Sequence, residues 1–140
     1  MILATLIYSK VVALAVLIHF EALNFLSKII PRLPIQRRMS ILVGVFGALV
    51  AHMIEIWLFA FVFYFMLQGS YFGGLTGSVT NSLLDCVYFS LTCYTSLGFG
   101  DINPYGYLRF LSGLEALTGL VLIAWTASFM YIEMQKFWKK

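Results

Sequence analysis

Long apolar runs alternate along the chain with short polar interruptions. Three runs, at about residues 5–29, 40–67 and 107–134, are each long enough as helices to cross a hydrocarbon layer of about 30 Å, which takes roughly 20 residues. A fourth, "NSLLDCVYFSLTCYTS" (81–96), is too short to span and suits a buried or re-entrant helix. Asn81 or Thr80 caps its start, and Ser82 with Asp85 three residues on has the form of a capping box. In "SKIIPRLPIQRRMS", Pro31 and Pro34 predict a tight, helix-free turn. "QGSYFGGLTGSVTN" (68–81) reads as a Gly/Ser/Thr-rich loop. The predicted fold is an all-α membrane protein in two parts. Residues 1–39 form an additional N-terminal helix and basic loop. Residues 40–140 hold an outer helix (about 40–67), a short helix (about 82–95), a glycine segment (96–101) and a last helix (about 107–135).

Composition fixes the surroundings: 61% of residues are hydrophobic and only 11% charged, against about a quarter charged in soluble domains. The first run contains Lys10, His19 and Glu21, has no basic start and no small-residue cleavage site, and is expected to be retained. Basic residues cluster at Lys28, Arg32, Arg37 and Arg38 and again at Lys136, Lys139 and Lys140, whereas the connection from 68 to 106 has none before Arg109 beyond it. The positive-inside rule then places the first connection and the C-terminus in the cytoplasm and the N-terminus outside. The net charge of +3 has this topological origin and does not indicate a nucleic-acid surface. Cys86 and Cys93 stand two helical turns apart, about 10 Å along the axis, too far for an intrachain disulfide. They are expected to be buried small hydrophobes.

Between the short helix and the last run lies "TSLGFGD", Thr95 to Asp101. Non-helical backbone at membrane depth is tolerated where protein buries it or where it lines a water-filled cavity. A short helix aiming its C-terminus there supplies partial negative charge, which favours a cation.

"TSLGFGD" resembles the selectivity filter of the tetrameric potassium-channel superfamily, whose common form is T-T-V-G-Y-G-D. Tyr88 and Phe89 stand where such channels often carry pore-helix aromatics, and "DINPYGYLRFLSGLEALTGL" resembles the post-filter turn and inner helix of small bacterial pore-loop channels. The likeness covers about residues 42–135 and leaves out the first helix. It implies a homotetramer around a central pore, in a lipid bilayer such as the bacterial inner membrane, passively conducting K⁺ and needing no cofactor beyond the permeant ions. Gly98 and Gly100 allow φ > 0, so successive carbonyls can turn the same way. On the family pattern, K⁺ is held by carbonyls of Ser96, Leu97, Gly98 and Phe99, with Gly100 completing the filter and the Ser96 hydroxyl at the innermost site. Thr95, Asp101, Tyr88, Phe89 and Thr92 are expected to support it.

Two departures stand out. Ser96 replaces the usual threonine and lacks the methyl that restricts χ1, which predicts a looser innermost site. Phe99 replaces tyrosine, and with Phe89 also lacking a donor the two suggest an apolar brace. The same changes occur together in ether-à-go-go-type channels, and G-F-G is common in two-pore-domain channels. Tyr88, 13 residues before Asp101, is expected to donate a hydrogen bond to it.

Glu115 lies inside the last span, where an ionisable group is costly. It either attracts cations near the filter or bonds the back of the short helix at Thr92, or makes a plain interhelical contact. Gly113 and Gly119 permit close helix packing. His19, Glu21, His52 and Glu55 fall at similar depth if the first two spans are antiparallel, with His52 and Glu55 as i,i+3 neighbours. They form either a proton- or metal-sensitive cluster or a polar contact docking the first span. No regular Arg or Lys row marks a voltage sensor. No nucleophile–base pair or HExxH motif points to an enzyme. The alternatives to a K⁺ channel are a weakly selective Na⁺/K⁺ pore, a metal or proton transporter built on the His/Glu cluster, and a non-conducting accessory subunit.

Overall fold

The computed structural model describes residues 2–34, 36–69 and 71–138. Lys139, Lys140 and the side chains of Arg37 and Arg38, all used in the charge argument, lie outside the described residues. Helix α1 covers Ile2–Ile29, α2 Arg37–Gln68, α3 Leu83–Tyr94 and α4 Leu108–Trp138. Strands β1, Gly73–Gly77, and β2, Ile102–Gly106, flank α3 in sequence. Helices α1, α2 and α4 are each long and apolar enough to cross a membrane.

Tyr8, Val11 and Ala15 follow Ala4 at helical spacing, so one stripe of α1 is buried against the other helices. Around it Phe59, Phe63 and Met66 of α2 meet Cys86 and Phe89 of α3 and Leu108, Leu111 and Leu122 of α4. At the far end Leu23, Leu26 and Ile30 pack with Phe129. Gly47 accommodates Leu26 there: a Cβ at that position would stand 2.5 Å from the leucine methyl. At the near end the Tyr8 hydroxyl donates to the Tyr107 carbonyl at 2.8 Å. Helix α1 therefore runs the length of the bundle, antiparallel to α2 and parallel to α4.

The turn after α1 differs from expectation. Ile30–Arg32 forms a 3-10 turn with Pro31 in its first positions, where the missing N–H costs nothing. The chain becomes extended at Leu33, the residue before Pro34.

The glycine-rich connection also differs, because β1 pairs antiparallel with β2 from Gly73↔Gly106 to Gly77↔Ile102. The glycines that suggested a loop are what let two strands approach here: a Cβ on Gly73 would lie 2.2 Å from the Tyr105 carbonyl oxygen, and one on Gly77 2.0 Å from that of Asp101. The all-α architecture thus carries one small ladder, which joins the two ends of the segment containing α3.

Candidate functional site: the α3 helix and the segment 95–101

Helix α3 starts on a reciprocal cap. Ser82 Oγ accepts from the Asp85 N–H at 3.1 Å, and the Asp85 carboxylate accepts from the Ser82 N–H at 3.2 Å. The same carboxylate accepts from the Thr80 hydroxyl at 2.6 Å and the Thr80 N–H at 2.8 Å. These bonds, the Thr80 hydroxyl foremost, hold the Asp85 carboxyl down at about 2.

The helix ends at Tyr94, with Thr95 as C-cap. The Ser96 N–H bonds the Cys93 carbonyl at 2.9 Å, and the Gly98 N–H bonds that of Thr92 at 3.2 Å. The chain then returns to the strand pair, where the Ser78 N–H meets the Asp101 carbonyl at 3.0 Å. Ser96, Gly98 and Gly100 have φ of 58°, 53° and 81°. Positive φ at every second residue turns successive peptide units to a common side, and it includes Ser96, a residue that pays for the left-handed region with Cβ crowding. Leu97 and Phe99 are 63% and 66% exposed, so within one chain nothing covers this segment.

Two contacts secure it from behind. The Tyr88 hydroxyl donates to Asp101 Oδ2 at 2.9 Å, and the Asn103 side-chain amide donates to the Gly100 carbonyl at 3.0 Å. The expected Phe89–Phe99 brace is not what forms. Phe99 lies parallel to the Tyr88 ring, centroids 6.4 Å apart, while Phe89 packs edge-on against Phe63 at 5.1 Å. Adjacent helical residues point about 100° apart, so Tyr88 and Phe89 cannot serve the same face.

Glu115 is buried and bonds Ser90, not Thr92, whose hydroxyl instead donates to the Phe89 carbonyl of its own helix at 2.8 Å. Ser90 Oγ also lies 2.8 Å from the Ile56 carbonyl. A serine has one proton and faces two acceptors, so both contacts are satisfied when the carboxyl supplies the other hydrogen. Gly119 lies on the same side of α4, where a Cβ would meet the Tyr94 carbonyl oxygen at 2.1 Å; at Gly113 nothing stands within 4 Å.

Three of the four residues expected at similar depth come together. His19 Nδ1 lies 2.9 Å from Glu55 Oε1, and His52 Nδ1 lies 3.3 Å from Glu55 Oε2. Glu21 is exposed and takes no part, because two residues along α1 from His19 it projects from a different face. Two residues unmarked by the sequence argument complete the group. The Tyr94 hydroxyl donates to Glu55 and lies 2.8 Å from His52 Nδ1. Thr126 Oγ1 lies 3.0 Å from His52 Nε2 and 3.3 Å from His19 Nε2. All four helices contribute, and His19, Glu55 and Tyr94 are fully buried.

Cys86 is buried and Cys93 half-buried, and both are free thiols. Ser90, Tyr94 and Thr126 lay beyond sequence reasoning because each acts through a partner far along the chain, and Asn103, which bonds Gly100 three residues back, was not singled out. Of the first three, only Tyr94, next to the glycine segment, carried a positional signal.

Three bilayer-length helices, with a short helix packed against α2 and α4 and a left-handed glycine segment after it, define an integral membrane protein of channel type. The sequence model of a family described as ion channels matches residues 51–136, and the chain belongs to that family, within the pore-loop potassium channel superfamily. No curated protein and no solved structure matches the chain.

Proposed function

We propose that the protein is a passive, K⁺-selective channel in which four copies surround an axis lined by residues 96–100. Helix α3 is then the re-entrant pore helix, and K⁺ is coordinated by the carbonyls of Ser96, Leu97, Gly98 and Phe99 and by the Ser96 hydroxyl in place of its water shell. One pore segment per chain calls for cyclic fourfold symmetry. The N-terminus and strand pair lie outside and the C-terminus in the cytoplasm, in a membrane such as the bacterial inner membrane.

The observation that carries this reading is the repeat of positive φ at Ser96, Gly98 and Gly100 in a segment left bare within one chain. Such a run orients a column of carbonyls, and other copies of the chain are what would enclose it. Flux from purified protein in liposomes under K⁺ and then Na⁺ gradients, with Ba²⁺ as blocker, tests it. Ba²⁺-sensitive K⁺ flux well above Na⁺ flux is expected. Comparable fluxes would favour the weakly selective pore, as a filter loosened at Ser96. Gly98→Ala should abolish flux, since an alanine at φ 53° costs about 1–2 kcal/mol in each copy and resists the shared carbonyl direction.

A further inference from the structure

The side-chain group at the middle of the bundle has a composition that the channel reading does not use. Among the described residues, His19, His52 and Glu55 are the one set of three His, Cys or acidic side chains whose ligand atoms gather within 4.8 Å of one another. Both imidazoles turn Nδ1 toward the Glu55 carboxylate and Nε2 toward Thr126 Oγ1. A hydroxyl oxygen has two lone pairs, so Thr126 can accept an N–H from each ring. That arrangement leaves both Nδ1 lone pairs facing a carboxylate, with the phenol of Tyr94 between His52 and Glu55. In that tautomer Nδ1 of each ring, a Glu55 oxygen and the Tyr94 phenol oxygen face one another as four donor atoms that a cation between them can bind.

We propose that His19, His52, Glu55 and Tyr94 form a four-coordinate site for one divalent transition-metal ion of the Zn²⁺ class. Two imidazoles with one carboxylate are a common donor set for such ions, and an outer oxygen fixing the second ring nitrogen is their usual support. Bonds of about 2.0–2.1 Å in a tetrahedron place ligand atoms roughly 3.3 Å apart. His19 Nδ1 stands 2.9 Å from Glu55 Oε1, His52 Nδ1 stands 3.3 Å from Glu55 Oε2 and 2.8 Å from the Tyr94 hydroxyl, and the His19, His52 and Glu55 ligand atoms all lie within 4.8 Å of one another, so small side-chain rotations close the group on one ion. Coordination releases the Tyr94 proton to solvent, and metal, carboxylate and phenolate sum to zero charge, as a buried site requires. His52, with 13% of its side chain exposed, borders a cavity of about 470 Å³ between α2, α3 and α4, which keeps the site open on one side.

Because Tyr94 immediately precedes Thr95 and Ser96, occupancy also fixes the inner end of α3. This coupling rests on the channel reading; binding itself does not.

Co²⁺ titration of the purified full chain tests the site. One Co²⁺ per chain, with the visible absorption of a four-coordinate ion and displacement by Zn²⁺, is expected. His19→Ala and His52→Ala should each weaken binding by at least about 100-fold and Thr126→Val by about 10–100-fold, with Glu21→Gln unchanged. Absence of stoichiometric binding by the wild-type chain would overturn the proposal without recourse to any variant. So would binding indifferent to His19→Ala, or a group that responds to pH and to no metal. In liposomes, Zn²⁺ should change K⁺ flux in the wild type and not in His19→Ala. Metal binding with unaltered flux would overturn the coupling alone, and metal binding by a protein with no flux at all would count against the channel reading and leave the site standing.

Discussion

Tyr88 and Asp101, 13 residues apart in sequence, are joined by a 2.9 Å hydrogen bond that ties the outward-returning end of the glycine segment to the flank of α3. The same tyrosine ring lies parallel to Phe99, so one side chain both anchors the end of the segment and backs its exposed aromatic. Tyr88→Phe keeps the ring and removes the bond. Fold stability should change by no more than about 1 kcal/mol, the ordinary worth of such a bond. K⁺ flux should decay faster during sustained conduction. A time course of liposome flux identical to wild type would show that the bond does not brace the segment.

Gly119 and Gly113 make opposite predictions from similar sequence surroundings. A methyl at 119 would overlap the Tyr94 carbonyl, so Gly119→Ala forces α3 and α4 apart and should cost about 1–3 kcal/mol. Gly113 meets nothing within 4 Å in its own chain, and Gly113→Ala should leave stability unchanged or raise it by up to about 1 kcal/mol through helix propensity. Thermal unfolding of the two variants in one detergent gives the comparison.

The Glu115–Ser90–Ile56 chain predicts that charge at Glu115 is dispensable and hydrogen bonding is not. Among the described residues the second carboxyl oxygen, Oε2, has no partner, as suits an uncharged group. Glu115→Gln should retain stability within about 1 kcal/mol, since its amide can donate to Ser90. Glu115→Ala leaves a cavity and should destabilise by about 2–4 kcal/mol. Unfolding midpoints in denaturant, at matched slopes, distinguish the two.

Asp85 gives a pH-dependent outcome with a definite sign. Its carboxyl is held at about 2 in the folded chain, below its ordinary value of 3.8. The cap therefore contributes fully above about 3.8 and is lost as pH falls through about 2. Protection of the Thr80 and Ser82 amides from hydrogen exchange should fall across that window, and Asp85→Asn should remove the pH dependence there.

The three spans, the short helix and its capping box were legible because each rests on local pattern: the length of the apolar run and a Ser-x-x-Asp spacing. The strand pair was not, since Gly73 pairs with Gly106 across the whole of α3 and nothing within either segment names the other. Of the site, the Tyr88–Asp101 spacing and the left-handed glycines could be anticipated. The brace could not, because which of Tyr88 and Phe89 faces Phe99 depends on the rotation of α3 against α2. Glu21 was misplaced for the same kind of reason: depth follows from counting, whereas facing depends on which stripe of α1 is buried. Tyr94 and Thr126 completed the His19–His52–Glu55 group only once four helices were assembled in space.

The β1–β2 ladder has a consequence for how this architecture can be altered. Its paired ends at Gly73 and Gly106 sit one strand spacing apart, about 4.8 Å, so residues 73–106 form a closed cassette carrying helix, glycine segment and outer anchor together. A host helix pair needs to match that single narrow gap to receive it. Conversely, the length of the polar connections inside the cassette can vary without disturbing the register of α2 against α4, because the clasp, not the loop, sets where the outer ends of those helices stand.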